Sequence, residues 1–443
     1  SVYTSCRIFM KNCLQELQNE FILSIQELVE ISRGFKQEID TALSGKPSSL
    51  PIVSYALNLP NGEETGLFCV LDIGGTRARA SLIELQGQGR YKILSQVTYG
   101  FRDPQRDYTL SAADLFDFQA NLIAEVIENC NYVVNLGYTF SFPCKQNNLN
   151  HCQLLKWAKE IKTPGVEGQD VVKLLNLALQ RNGLADKINL VVTINDTVAT
   201  LLTSAYSDPN TDIGSIIATG HNSCCVQKLP DGKGKIINLE CGNYTGIKST
   251  RWDKQIDLNS QGPGEQLYEK MVSGQYLGEL VRVICLDLYK KGLWLKITKT
   301  ASWETPYSLE SRHLASILHD NSYELEKTAG VLRENWGITT PGYDDLRLIK
   351  DVGELVVNRS AQLIAASFAG ILVYIDPALQ HEHTIAIDGS VYENMPGFAE
   401  NLQKNLYQIL NVPSGQISLR LCKDGSSIGT AIAAAMIAQT PAR

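Results

Sequence analysis

A strand that ends in a glycine turn and is followed at once by another strand occurs twice in this chain. The first copy is CVLDIGGTRARA, residues 69–80, and the second is SIIATGHNSCCV, residues 215–226. In each, glycine lets the backbone reverse without a Cβ penalty. A turn of this kind can aim several N–H groups at one point, which makes an anion site. Alone, the first stretch reads equally as a hairpin with a Gly-Gly turn. Two equivalent turns at the head of similar series of elements imply more: two related α/β halves that meet at a cleft.

The order of elements supports the duplication. Leu14, Leu17, Phe21, Ile22, Ile25, Leu28 and Val29 recur at helical spacing, predicting one amphipathic helix from about Ile8 to Ala42. A Pro/Ser/Gly-rich segment, 45–66, follows. Strands are then expected at 67–73, 77–85 and 92–99, a helix at 111–130, a strand at 132–140, a helix at 168–183 and a strand at 188–194. Strands recur at 213–218, 222–228 and 234–239, before helices at 264–288, 307–318, 322–335 and 343–375. Strand 384–387, helix 394–410, strand 416–421 and an Ala-rich helix, 427–438, complete the chain. This pattern indicates mixed sheets flanked by helices. At 443 residues the chain exceeds what one core supports.

The bulk properties exclude several classes. The net charge of −7 argues against nucleic acid as a partner, which would call for a basic face. A hydrophobic share of 44% with 20% charged residues is that of a soluble globular protein. No window approaches the roughly 18 uncharged apolar residues of a membrane helix, so no membrane association is expected. A basic segment followed by a small-residue cleavage site is also missing, so no secretory leader is expected. The eleven cysteines are scattered, several within apolar strands, and read as reduced, buried thiols of a cytoplasmic protein. His381-Glu382-His383 reads as a solvated loop rather than a metal site.

Two more glycine–serine turns, IDGSVY (387–392) and CKDGSSIG (422–429), each lie between a strand and a helix, where helix N-termini favour anions or a nucleotide. In VVTINDTVATLL, residues 191–202, Asn195 and Asp196 stand between an apolar strand and an apolar helix. Asp196 or Thr197 could simply be an N-cap. Alternatively, the Asp196 carboxylate faces the cleft at a strand's C-terminal end, where it could take a proton from an attacking hydroxyl.

Together these stretches resemble a hexokinase, the eukaryotic-type ATP:hexose 6-phosphotransferase, from about Leu50 to Met436. LPNGEETGLFCVLDIGGTRAR resembles the lead-in and first phosphate motif, and YTFSFP with LLKWAKE the sugar segment. TINDTVATLL resembles the catalytic segment, and IATGHNSCC the second phosphate motif. INLECG and YEKMVSGQYLGELVR resemble further sugar-contacting segments. IAIDGSVYENMPGF and KDGSSIGTAIAAA resemble the adenosine region and last helix.

The resemblance implies an α/β fold of two ribonuclease H-like (actin-like ATPase) domains closing on a central cleft. The small domain would comprise 66–195 with 429–443, and the large one 1–65 with 196–428. It implies Asp196 as the base for the sugar's 6-hydroxyl. Ser141, Phe142, Pro143, Lys159, Asn195, Asn222, Glu240 and Glu269 would hold glucose or a related hexose, because a buried polyol needs its donors and acceptors matched. Asp72, Gly74, Gly75, Thr76, Arg77, Thr219 and Gly220 would face the phosphates of ATP and its Mg²⁺, with Asp72 near the metal and no residue assigned as a direct ligand. Gly389, Ser390, Gly425 and Ser426 would lie near the adenosine, and Arg79 also matches a family position. A monomer or homodimer is implied.

The chain departs from the family at several places. Arg77 replaces the usual Asn, Ala218 and His221 flank the second turn, Ala158 replaces a Thr beside Lys159, and Cys241 follows Glu240 in place of an aromatic. Arg77 either pairs with a neighbouring acid or reaches the phosphates as a fixed cation. A sugar kinase of the repressor/open-reading-frame/kinase type would carry a Cys/His zinc cluster, which the sequence lacks. A non-enzymatic sugar sensor, or a hexose kinase with an altered phosphoryl donor, are the other readings.

Overall fold

Short apolar strands interleaved with amphipathic helices resolve into two mixed sheets. The computed structural model describes residues 14–101, 111–157, 161–228, 234–295 and 302–439. The first sheet, in the order β4-β3-β2-β5-β8, comprises β2 (Thr65–Ile73), β3 (Arg77–Gly87), β4 (Arg90–Gly100), β5 (Val134–Phe140) and β8 (Ile188–Ile194). The second, β1-β11-β10-β9-β12-β13, comprises β1 (Val53–Tyr55), β9 (Thr211–Ile217), β10 (His221–Lys228), β11 (Gly234–Asn238), β12 (His383–Asp388) and β13 (Ile417–Leu421). Each joins an antiparallel meander to parallel strands. The duplicated order of elements is thus a duplicated topology.

Two helices lie between the sheets. α5 (Asp196–Ala205) packs on β9, β10 and β12, while α14 (Gly425–Ala438) packs on β2, β5 and β8, and the two helices face each other. Glycine permits their approach: a Cβ on Gly429 would stand 1.7 Å from the Ala199 carbonyl oxygen. Around this contact a core draws on both sheets, with Val70 and Ile83 on one side, Cys224 and Val226 on the other, and Val198, Leu202, Ile428 and Ile432 between.

The largest core lies behind the second sheet, around α11 (Tyr343–Ile375), which packs against α2 (Ile25–Leu43), α8 (Gly274–Lys290) and α13 (Phe398–Leu410). Contrary to the expectation from sequence, α11 is long and apolar enough to cross a membrane by length and composition. Its most apolar window, however, is 89% buried inside the protein.

Several elements differ from expectation. The N-terminal helix, whose expected start lies outside the described residues, is broken into α1 (14–21) and α2. Ser24 accepts from the Glu27 amide while its own amide donates to the Glu27 carboxylate, so the capping box starts a new helix. The helix expected at 264–288 is divided into α7 (Leu267–Val272) and α8, while that at 394–410 begins only at Phe398 as α13, with a separate short helix, α12 (Ser390–Asn394), ahead of it. A hairpin of β6 (Cys144–Asn148) and β7 (His151–Leu154) was not foreseen, because its polar residues hide the strand pattern.

Nor is His383 part of a solvated loop. It is buried at the start of β12, with Nδ1 2.6 Å from Asp212 and Nε2 3.3 Å from Asp376. Burial disfavours its charged form, but the two carboxylates outweigh that and raise its pKa. No His/Cys/Asp/Glu cluster suited to a metal occurs among the described residues. The nine described cysteines are free thiols, seven of them buried.

Candidate active site

The first glycine turn joins β2 to β3, so it is a hairpin turn, closed by the Gly74 amide donating to the Arg77 carbonyl at 3.0 Å. No protein atom lies nearer than 3.7 Å to where a Gly74 Cβ would be, so packing does not require glycine there. Asp72, at the end of β2, is held by the Ser426 hydroxyl at 2.6 Å. Gly425 and Ser426 open α14, whose N-cap Asp424 is in the left-handed conformation and paired with the buried Arg79. The fourth turn is thereby fastened to the first.

The second turn, between β9 and β10, is fastened differently. The amides of Gly274 and Gln275, at the start of α8, donate to the carbonyls of Ala218 (2.8 Å) and Thr219 (3.0 Å). A Cβ on Gly274 would come within 2.6 Å of the Ala218 oxygen, so the approach requires glycine. These bonds also explain why the expected helix 264–288 breaks: its N–H groups at 274 and 275 are used outside the helix. The third turn places Gly389 as N-cap and Ser390 as first residue of α12.

Asn195, Asn222 and Glu240, three of the polar residues expected to hold sugar, are joined in one partly buried network through Thr197 and Asn238. Asn195, rather than Asp196 or Thr197, is the N-cap of α5, accepting from the Thr197 amide (3.0 Å) and hydroxyl (2.7 Å). The Thr197 hydroxyl also lies 3.3 Å from Asn238 Oδ1, which accepts from Asn222 Nδ2 at 2.9 Å. Asn238 in turn donates to Glu240 Oε1 at 2.7 Å. Asn222 Oδ1 accepts from the amides of Ser223 and Cys241. Glu269, on α7, accepts from the His221 amide at 3.2 Å. Sequence reasoning missed Asn238, the hub of this network; a lone amide inside the apolar run IINL, residues 236–239, was the available signal.

Glu240, Gln266 and Asp424 all have positive φ (49°, 48° and 56°) at the entry to the 3₁₀ turn 241–243, α7 and α14. For non-glycine residues this costs about 1–2 kcal/mol each. Three such residues at three elements of one site mark it as held by its surroundings rather than by local preference.

Acids converge where the sheets meet. Burial raises the Asp72 carboxyl, partly offset by the Ser426 hydroxyl, Arg79 and Arg77. Asp388, at the end of β12, is pushed up to about 6 by burial and by Asp72, Asp424 and Asp196, with Arg77 opposing. Asp388 was not anticipated, although its setting in AIDGS repeats that of Asp72 in LDIGG. Arg77 is exposed and stabilises both carboxylates.

A cleft of about 900 Å³ is lined by Pro143, Trp157, Thr219, Glu269, Ser390 and neighbours, whereas Asp72, Asp196, Asn222 and Asp388 are not among its lining residues. Ser141 begins the segment leading into it, with its amide on the Ile73 carbonyl at 3.0 Å, and buried Phe142 packs edge-on to Trp157. At the cleft's edge Lys156 pairs with Glu265 at 2.8 Å; both are exposed, so the pair contributes at most about 1 kcal/mol. Lys159 and Ala158 lie outside the described residues.

The model of the hexokinase family matches residues 13–206 with one part and 212–436 with another. The chain belongs to the hexokinase family. A hexokinase of Schistosoma mansoni is 33% identical over 455 residues, covering 98% of each chain. Hexokinase-1 of Schizosaccharomyces pombe is 31% identical, covering 97% of this chain and 92% of the relative. The solved structure of the S. mansoni hexokinase complexed with glucose superimposes with a TM-score of 0.85 over 96% of this chain, at 30% identity. Membership makes this chain a hexose kinase with the two-domain actin-like fold, the α/β class expected from sequence.

Proposed function

We propose that this hexokinase transfers the γ-phosphoryl group of MgATP to the 6-hydroxyl of glucose or a closely related hexose, with Asp196 as general base. One observation carries the assignment of the base. Asp196 opens α5 directly after Asn195, a member of the sugar network, while its charge acts on Asp388 beside the phosphate turns. That position, next to the network assigned to the sugar and within the charge influence of the phosphate turns, supports the role of base.

The carboxylates of Asp72 and Asp388, each raised by burial and neighbouring acids, suit a cation arriving with the nucleotide, and the open Gly74 turn suits an anion. Mg²⁺, when bound, supplies charge neutralisation at the transferring group. Asn195, Asn222, Glu240 and Glu269 orient the sugar hydroxyls. Asp196 accepts the 6-hydroxyl proton as the O6–phosphorus bond forms and the bond to ADP breaks. Closure of the lobes excludes water, a competing acceptor. The lobes in this reading are 66–195 with 429–443, and 1–65 with 196–428. The packing of α14 on the first sheet and α5 on the second supports that division.

A coupled assay with glucose and MgATP tests the reading: glucose 6-phosphate should form stoichiometrically with ADP. Glucose binding without turnover would instead support a sugar sensor. An altered phosphoryl donor is a second reading, favoured by Arg77. As a cation beside Asp72 and Asp388, Arg77 is expected to contact the donor phosphates. Arg77→Asn should raise the KM for MgATP about fivefold, the equivalent of about 1 kcal/mol for an exposed charge pair, and leave the glucose KM unchanged. An unchanged KM for MgATP would assign Arg77 to its acidic neighbours alone.

A further inference from the structure

His221 stands between the second phosphate turn and Asn222. Its imidazole is 2% exposed and touches two elements at once. Nδ1 lies 3.0 Å from the Ile216 carbonyl on β9, which makes Nδ1 the protonated nitrogen, since a carbonyl only accepts. The ring meets Tyr268 edge-on, with centroids 5.5 Å apart. Nε2 is buried without a hydrogen-bond partner. Tyr268 directly precedes Glu269 on α7, and its hydroxyl donates to the Leu363 carbonyl of α11 at 3.0 Å. The His221 amide itself donates to Glu269.

We infer that His221 is a positioning residue for sugar binding: its ring, wedged between the C-terminal end of β9 and Tyr268, sets the distance of α7 from β10 and so fixes Glu269 beside the start of β10. The inference rests on the hexose kinase reading and extends it to a residue outside the set expected to contact the sugar. Geometry separates this role from the donor side, because the second turn is secured by Gly274 and Gln275 without the imidazole. The role is steric. Burial pushes the His221 pKa down to about 4, against the opposing effect of the Ile216 carbonyl, so the ring is neutral throughout the working range.

The test compares three variants in the full chain by glucose titration calorimetry and steady-state kinetics. His221→Ala should raise the glucose Kd and KM about tenfold, while the MgATP KM stays within about twofold. The pH profile of kcat above pH ~6 should not change, because a group with pKa near 4 does not titrate there. His221→Phe keeps the ring edge against Tyr268 and should restore glucose affinity to within about threefold of the parent. His221→Asn keeps a donor for the Ile216 carbonyl but lacks the ring, and should not restore it. An unchanged glucose Kd in His221→Ala, or a parallel rise in both KM values, would overturn the inference. Should the alanine variant fail to fold, equal glucose affinity in the Phe and Asn variants would overturn it as well. Absence of hexose phosphorylation by the parent protein would instead refute the functional reading on which the inference rests.

Discussion

Asp196→Ala is expected to lower kcat by about 10²–10⁴-fold, the range that a positioned general base contributes. The same substitution should weaken glucose binding by less than about tenfold, because each sugar hydroxyl keeps its other partners. Asn195 still caps α5, since its side chain accepts from both the amide and the hydroxyl of Thr197. The Asn222–Asn238–Glu240 connections do not involve the Asp196 side chain. Asp196→Asn should behave alike, as an amide fills the space but takes no proton. Single-turnover phosphorylation of glucose alongside direct sugar titration measures both quantities. A kcat near that of the parent would remove Asp196 from the role of base.

The second large effect is on stability. Gly429→Ala adds a methyl group 1.7 Å from the Ala199 oxygen and 2.4 Å from its carbonyl carbon, both backbone atoms that no rotamer change can move aside. α5 and α14 must separate, which disturbs the core between the sheets and the Ser426–Asp72 bond together. A loss of about 3 kcal/mol or more is expected, at the upper end for an overpacked core. Chemical denaturation of the two proteins provides the comparison. Gly330→Ala is the control: inside α10 (Glu326–Trp336), the nearest atom to its Cβ is the tip of Arg333 at 3.9 Å. There alanine should stabilise by about 0.5–1 kcal/mol through helix propensity. Equal effects at the two glycines would mean that the helix contact is looser than its geometry indicates.

Legibility in the sequence followed the range of the interactions. Strand 188–194 and helix 343–375 were readable to the residue because their apolar runs are long and bounded by polar residues. The turns were readable because glycine after an apolar strand is a local signal. The split at Ser24 was also local, since Ser24 and Glu27 have capping-box spacing, but the apolar periodicity on either side masked it. The split at Ser273 was not local. It depends on Gly274 and Gln275 bonding to a turn more than fifty positions earlier in the chain, for which their own segment holds no sign. Asn238 and Asp388 were missed for a related reason. Each looks like the polar end of a strand, and its importance comes from neighbours delivered by other elements.

The arrangement of α5 and α14 has a mechanical consequence. One helix belongs to each sheet, so in the closure proposed above the contact between them is the natural pivot. In such a rotation, displacement grows with distance from the axis, as along the blades of scissors. In that closure Pro143 and Trp157, which line the cleft, would travel far, whereas Asp196, at the start of α5, would travel little. The proposed proton acceptor would therefore serve as a fixed reference point against which the two substrates are brought into register.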